Sequence, residues 1–135
     1  MSVFVDTSAF YAVMDANDWN HDRALDRWRD LASNAADVVC TNYTLIETIA
    51  LLQHRVGMEA VRAFQEDVVP VLRIVWIDAE CHDASVSALL VAGRRQLSLV
   101  DCTSFETMRR LAIRTAFTFD PHFVEQGFEC IPQGG

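Results

Sequence analysis

Four of the nineteen carboxylates in this 135-residue chain stand where an isolated charge is costly. Asp6 ends the apolar run Val3-Phe4-Val5, and Asp120 ends the run from Thr115 to Phe119. Glu47 is the sole charge between Asn42 and Gln53, set among Leu45, Ile46, Ile49, Leu51 and Leu52. Asp101 follows Leu99-Val100 and precedes a helical pattern. A buried, ionised carboxylate needs a counter-charge, hydrogen-bond donors or a metal. The chain has no lysine, and no arginine stands close in sequence to Asp6, Glu47 or Asp120. A hard divalent cation would stabilise all four together, because Mg²⁺ and Mn²⁺ prefer oxygen ligands and retain several waters.

Each acid has a plainer reading when taken alone. Asp6 with Ser8, or Asp101 with Thr103, fits a helix N-cap. Glu47 can point to solvent from a half-buried helix, and Asp120 can serve a turn before Pro121. The joint reading is stronger, because carboxyl ends of strands in a parallel sheet gather at one edge, where open α/β sheets bind their ligands. Other chemistries find less support. Cys40, Cys81, Cys102 and Cys130 lie far apart with no C-x-x-C pair, the pattern of buried, reduced thiols. His21, His54, His82 and His122 are equally scattered, so no histidine-ligated metal is expected.

The elements that must position these acids follow from the apolar pattern. Ser2 to Val5 reads as a strand buried on both faces. A short helix follows from Thr7 to Val13, and Asp15 to Asp18 form a turn. A second helix runs from Trp19 to about Ala32 with Ala24, Leu25, Trp28, Leu31 and Ala32 on its apolar face. Val38 to Thr41 is a strand, and Asn42 or Thr44 is placed to cap a helix that stops at Gly57. The pattern then predicts a helix from Glu59 to about Val68 ended by Pro70, and a strand from Val71 to Ile77. Asp78 caps a helix reaching Arg94 or Arg95. After Asp101 a helix turns Phe105, Met108, Leu111 and Ala112 inward. A strand from Thr115 to Phe119, a turn or short helix at Pro121 and a last strand from Phe128 to Ile131 complete the chain. The expected architecture is a single α/β domain over residues 1–135, with a largely parallel central sheet flanked by helices on both faces.

Composition sets the outer bounds. The chain is 51% hydrophobic and 22% charged, as in an ordinary globular domain, and no run approaches the roughly 18 apolar residues of a membrane helix. The start lacks the pattern of a secretory signal, so a cytoplasmic protein with no membrane partner is expected. A net charge of −8 argues against a broad electrostatic grip on nucleic acid and permits a basic partner or bound divalent cations. Residues 1–37 hold three Arg against seven Asp, whereas residues 84–118 hold five Arg against Asp101 and Glu106. The later segment is therefore where phosphate contacts are expected, at Arg94, Arg95 and Arg109.

The segments Val5-Asp6-Thr7-Ser8-Ala9, Leu45-Ile46-Glu47, Leu99-Val100-Asp101-Cys102-Thr103-Ser104 and Phe117-Thr118-Phe119-Asp120-Pro121-His122-Phe123 resemble the PIN-domain ribonucleases, most closely the VapC-type toxins. The resemblance runs in order along nearly the whole chain. It implies a PIN-like fold and an endoribonuclease that hydrolyses RNA phosphodiester bonds with Mg²⁺ or Mn²⁺, leaving a 5′-phosphate and a 3′-hydroxyl. It also implies that Asp6, Glu47, Asp101 and Asp120 form the metal-holding cluster. Ser8 and Thr103 match the hydroxyls two positions after the first and third aspartates, and would position a carboxylate, water or metal. Cys102 acquires no role. Proteins of this type are neutralised by a small antitoxin, which an acidic surface would favour. The apolar helices around residues 45–68 suggest a homodimer face.

Two other functions remain compatible with the residues. An aspartate-based phosphohydrolase or phosphotransferase could use Asp6 as its phospho-acceptor, although the second aspartate expected two residues on is here Ser8 and a helpful lysine is lacking. A PIN-like, non-catalytic RNA-processing or interaction subunit would share the fold. Retention of all four acids argues against a scaffold, which has no reason to bear their desolvation cost.

Overall fold

In the computed structural model, which describes residues 1–133, five parallel strands lie in the order β3-β2-β1-β4-β5. The first half of the chain contributes β1 (Ser2–Val5), α1 (Thr7–Met14), α2 (His21–Ser33), β2 (Asp37–Thr41), α3 (Asn42–Arg55) and α4 (Met58–Ala63). The second half contributes β3 (Arg73–Val75), α5 (Ala79–Ala92), α6 (Leu99–Arg110), β4 (Thr115–Phe117), α7 (His122–Glu125) and β5 (Glu129–Ile131). The chain leaves β1 for β2 on one side and returns to pair β4 on the other, so the strand order reverses beside β1. That reversal opens a crevice at the carboxyl ends of β1 and β4.

The central strand shows why the sheet is covered on both faces. Val3 and Val5 point into one apolar cluster with Phe10, Leu31, Leu52, Phe64 and Phe117. Phe4, between them, points into the other with Val39, Phe105, Met108 and Phe123. All three strand residues are fully buried, as the continuous apolar run requires. Helices α1, α2 and α3 cover the first face, and α6 and α7 cover the second. Gly93 ends α5 in the left-handed conformation, φ 62°, which costs glycine little.

The α/β class and the element order match the expectation, and several boundaries differ for local reasons. The cap of α3 is Thr41, whose hydroxyl accepts from the N–H of Thr44; Asn42 instead accepts from the N–H of Ile77 and ties down the chain after β3. Strand β3 covers only Arg73–Val75, because it lies at the sheet edge and Trp76 turns out to solvent. After α4 the chain makes a π-helical turn at Phe64–Val68 and a 3₁₀ turn at Val69–Val71, so Pro70 sits inside a turn rather than ending one long helix. Helix α2 begins at His21, leaving Trp19 outside it and Ala32 exposed. Helix α6 begins at Leu99 and so contains Asp101. It ends at Arg110, where Ala112 at φ 55° closes it with Ile113 N–H donating to Met108. Leu111 and Ala112 therefore face out rather than in. Strand β4 stops at Phe117, two residues short, because Thr118 turns its hydroxyl towards the end of β1.

Candidate active site

The crevice at the strand reversal is a cavity of about 320 Å³ whose lining includes Asp6, Glu47, Asp101 and Asp120. Each acid arrives on a different element. Asp6 follows β1 and caps α1, Glu47 comes from the second turn of α3, Asp101 from the first turn of α6, and Asp120 from the loop after β4. Helices α3 and α6 lie against one another as well as on the sheet, which brings their acids over the strand ends.

Asp6 is the buried centre of the group, 3% exposed. Its Oδ2 accepts from Ser8 Oγ at 2.7 Å, from Thr118 Oγ1 at 3.1 Å and from the Ser8 N–H at 3.3 Å. Among the described residues Oδ1 has no such donor. Burial pushes the Asp6 carboxyl up to about 7, against the lowering effect of Ser8; the charges of Asp101 and Asp120 raise it further and Thr118 lowers it. Asp101 is 7% exposed and is raised by the same cause, burial first. The Ser98 N–H donates to Asp101 Oδ2 at 3.1 Å and opposes that rise, while Asp120 and Glu47 add to it. Asp101 thus completes a capping box with Ser98 and also faces the other acids. Capping and site membership coexist in one side chain.

Asp120 is held by its own loop. Its N–H donates to Thr118 Oγ1 at 2.9 Å, and its Oδ1 accepts from the N–H of His122 at 2.9 Å. The His122 ring folds back so that Nδ1 lies 2.7 Å from Oδ1, out of line for a hydrogen bond. Ligand atoms of Asp101, Asp120 and His122 fall within 4.8 Å of one another. The scattered spacing of the four histidines hides this one, whose only sequence signal is an Asp-x-His pair after a strand.

The donor set suits a hard divalent cation. Several carboxylates converge, one is driven towards protonation chiefly by burial and further by its acidic neighbours, and the buried Thr7 hydroxyl on the cavity wall has no hydrogen-bond partner among the described residues. A cation would relieve the mutual repulsion and accept the free carboxylate oxygens.

The hydroxyls divide unexpectedly. Ser8 holds Asp6 and also accepts from the Phe119 N–H at 2.9 Å, so it ties β1 to the loop carrying Asp120. Thr103 does not reach a carboxylate; its hydroxyl donates to the Val100 carbonyl at 2.7 Å, inside its own helix. The expected positioning role falls instead to Thr118, whose hydroxyl joins Asp6 to the backbone of Asp120. Ser8→Ala is expected to lower activity by roughly 10- to 100-fold, the usual cost of losing a group that orients a ligand. Because a lowering donor is lost, the acid limb of its pH–rate profile moves to higher pH. An unchanged limb would show that Ser8 does not act through Asp6.

The expected phosphate contacts are dispersed. Arg94 is held by Glu125 of α7 at 2.8 Å, and Arg95 is exposed in the loop before α6. Arg109 lies two turns beyond Asp101 on α6, where it donates to Gln126 Oε1 at 2.7 Å and covers the Phe128 ring. With Arg114 and Glu129 it borders a second cavity, at the amino edge of the sheet and opposite the acids.

A family model described as the PIN domain matches residues 3–129. The 23S rRNA-specific endonuclease VapC20 of Mycobacterium tuberculosis is 35% identical over 127 residues, covering 93% of this chain and 95% of the relative. The crystal structure of Mycobacterium tuberculosis VapC20, described as a Sarcin-Ricin loop cleaving toxin, superposes with a TM-score of 0.83 at 34% identity, covering 93% and 95% of the two chains. FitAcB from Neisseria gonorrhoeae shares the fold, with a TM-score of 0.68 at 16% identity over 96% of each chain.

Proposed function

The chain belongs to the PIN-domain family and is a homologue of the VapC toxins, and on that premise we propose that it is a divalent-cation-dependent endoribonuclease toxin that cuts ribosomal RNA. The carrying observation is the convergence of Asp6, Glu47, Asp101 and Asp120, from four separate elements, on one cavity at the strand reversal. The substrate class follows from the end-to-end likeness to a 23S rRNA-specific endonuclease, and the sarcin–ricin loop is the segment to test first. We read residues 1–135 as one nuclease domain, with Asp6, Glu47, Asp101 and Asp120 as its metal-holding residues and Mg²⁺ or Mn²⁺ as the ion.

A bound cation supplies activation of the attacking water and neutralisation of charge on the leaving oxygen. The chain supplies the rest. Ser8 and Thr118 fix the rotamer of Asp6, the Asp101–Ser98 box fixes Asp101, and the Thr118 hydroxyl and the His122 N–H fix Asp120 from both sides. The carboxylates therefore present their remaining oxygens without a reorganisation cost.

Three features of this reading concern partners and place. A small basic antitoxin suits the net charge of −8. A homodimer suits the exposed Ile46 of α3, Met58 of α4 and Val56 between them, along with Leu90 and Val91 on α5. A cytoplasmic location suits action on ribosomal RNA; among the described residues no helix is long and apolar enough to cross a membrane.

The test is cleavage of an end-labelled sarcin–ricin loop RNA and of a scrambled control, with Mg²⁺, with Mn²⁺ and with EDTA. Cleavage of the loop that depends on the ion is the expected result. Folded protein that cuts neither RNA nor whole ribosomes with either ion would overturn the proposal.

A further inference from the structure

The acidic cavity has one basic, aromatic wall, and the function described above leaves it unused. Glu47, Leu51 and Arg55 line the cavity from successive turns of α3, which sets Arg55 roughly 12 Å along the helix from the acid. The Arg55 guanidinium lies 5.5 Å from the centre of the Tyr11 ring, and Tyr11 is itself fixed by donating to Asp15 Oδ2 at 2.7 Å. Arg23 lies 5.6 Å from the centre of the Phe119 ring, whose backbone N–H is held by Ser8. Neither arginine forms an ion pair among the described residues, whereas Arg27, Arg62, Arg73, Arg94 and Arg110 do. Seating a guanidinium on an aromatic face fixes its position and leaves its charge for a ligand.

Trp19, four positions before Arg23 in the chain, is 95% exposed. It occupies the middle of a turn in which the Asn20 N–H donates to Asp18 Oδ2 at 2.9 Å, and both Asp18 and Asn20 line the cavity. A second such turn precedes it, with the Asn17 N–H donating to Asp15 Oδ1 at 3.0 Å. Asp15 and Asp18 are thus engaged in building the loop. Between two residues that line the cavity, the loop thus carries a bare indole that contributes nothing to the core.

We propose that this wall, formed by the α1–α2 loop, the first turn of α2 and the last turn of α3, is the track that holds single-stranded RNA as it enters the site. Arg55 and Arg23 grip phosphates neighbouring the scissile one, and Trp19 stacks an unpaired base. The inference rests on the ribonuclease reading and adds the groups that hold the substrate strand. RNA is favoured over a protein partner because the wall is continuous with the acidic cavity and pairs cations with open aromatic faces. That combination is how single strands with splayed bases are held.

The experiment measures binding of a fluorescent single-stranded RNA by anisotropy at several salt concentrations, in Asp6→Asn protein so that the strand survives. Trp19→Ala and Arg55→Gln are compared with Arg114→Gln, at the opposite sheet edge, as control. Both residues are exposed and outside the core, and a thermal melt checks folding. Trp19→Ala is expected to weaken binding by roughly 5- to 100-fold, the span of base–aromatic stacking. Arg55→Gln is expected to weaken it by about tenfold and to reduce the log–log salt slope by about 0.7, the loss of one phosphate contact. In the catalytic background both changes raise KM more than they lower kcat.

Absence of RNA binding, or variants matching the control in affinity, salt slope and KM, overturns the proposal. The latter result would assign the wall to a protein partner. Wild-type protein that cleaves no RNA overturns the ribonuclease reading instead, so the two failures are distinguishable.

Discussion

Asp6→Asn is expected to reduce RNA cleavage at saturating Mn²⁺ by at least about 10²-fold, beyond the 10- to 100-fold typical of residues that only orient a ligand. The substitution is nearly isosteric. Its amide oxygen can still accept from Ser8 and Thr118, so the loop carrying Asp120 keeps its anchor through Ser8 and Phe119. What disappears is a negative charge at the buried centre of four convergent acids. The variant is therefore expected to fold, to bind Mn²⁺ more weakly and to lose activity that extra ion only partly restores. Asp101→Asn should behave similarly, since Asp101 faces the same cavity. Metal titration followed by cleavage of labelled RNA measures both effects. Activity within threefold of wild type would remove Asp6 from the catalytic group.

The second large effect concerns stability, and its sign is opposite to that of an ion-paired carboxylate such as Asp37. With no ion bound, the Asp6 carboxyl stands near 7 in the folded protein, against an ordinary value of 3.8. Between these values the folded chain keeps a proton that the unfolded chain has released. Stability therefore falls as pH rises through this window and levels off above it. The size is about 4 kcal/mol for roughly three pH units, and Asp101 shifts in the same direction. In EDTA, melting between pH 5 and pH 8 is expected to drop by on the order of 10 °C for a domain of this size. Asp37, held down to about 2 chiefly by its hydrogen bonds from Arg73, acts only below this window and leaves the interval clean.

Two controls isolate the cause. Asp6→Asn removes the titrating group, so its melting temperature in EDTA should vary much less with pH and exceed wild type at pH 8. The residue that most lowers activity when changed then raises the stability of the ion-free fold, as expected where function maintains a strained group. Mn²⁺ binds the folded chain and competes with the proton, so its stabilising effect should grow from pH 5 to pH 8. A flat melting profile in EDTA would show that Asp6 is ionised without strain.

Much of this architecture was legible because it rests on local patterns. Val3-Phe4-Val5 is apolar at every position, which demands cover on both faces, and the alternation of helices and strands admits a parallel sheet. Asp6, Glu47 and Asp120 stood out because nothing nearby in sequence offered them a counter-charge, and Asp101 because it follows an apolar run. The errors have physical causes too. Leu111 and Ala112 continue a helical apolar spacing, but a left-handed Ala112 ends α6 first. Thr103 matches a motif position, yet a helical threonine can satisfy its hydroxyl on the carbonyl of the preceding turn, and this one does. Thr118 looked like a strand residue and holds Asp6 across 112 positions. The excess of arginines in residues 84–118 was a sum along the chain, and folding engaged Arg94 with Glu125 of α7, left Arg95 in an exposed loop and set Arg109 and Arg114 at the opposite sheet edge.

By itself, then, the sequence determined the fold class, the order of the elements and the identity of the four acids, since each depends on side-chain type and short-range period. The tertiary structure decided which hydroxyls hold those acids, that His122 joins them, that Asp6 is driven towards protonation, and that Arg55 lines their cavity while Arg23 lies over Phe119 on its wall. These depend on distances between residues far apart in the chain. Burial and through-space charge follow from such distances, and neither is written in any local stretch of residues.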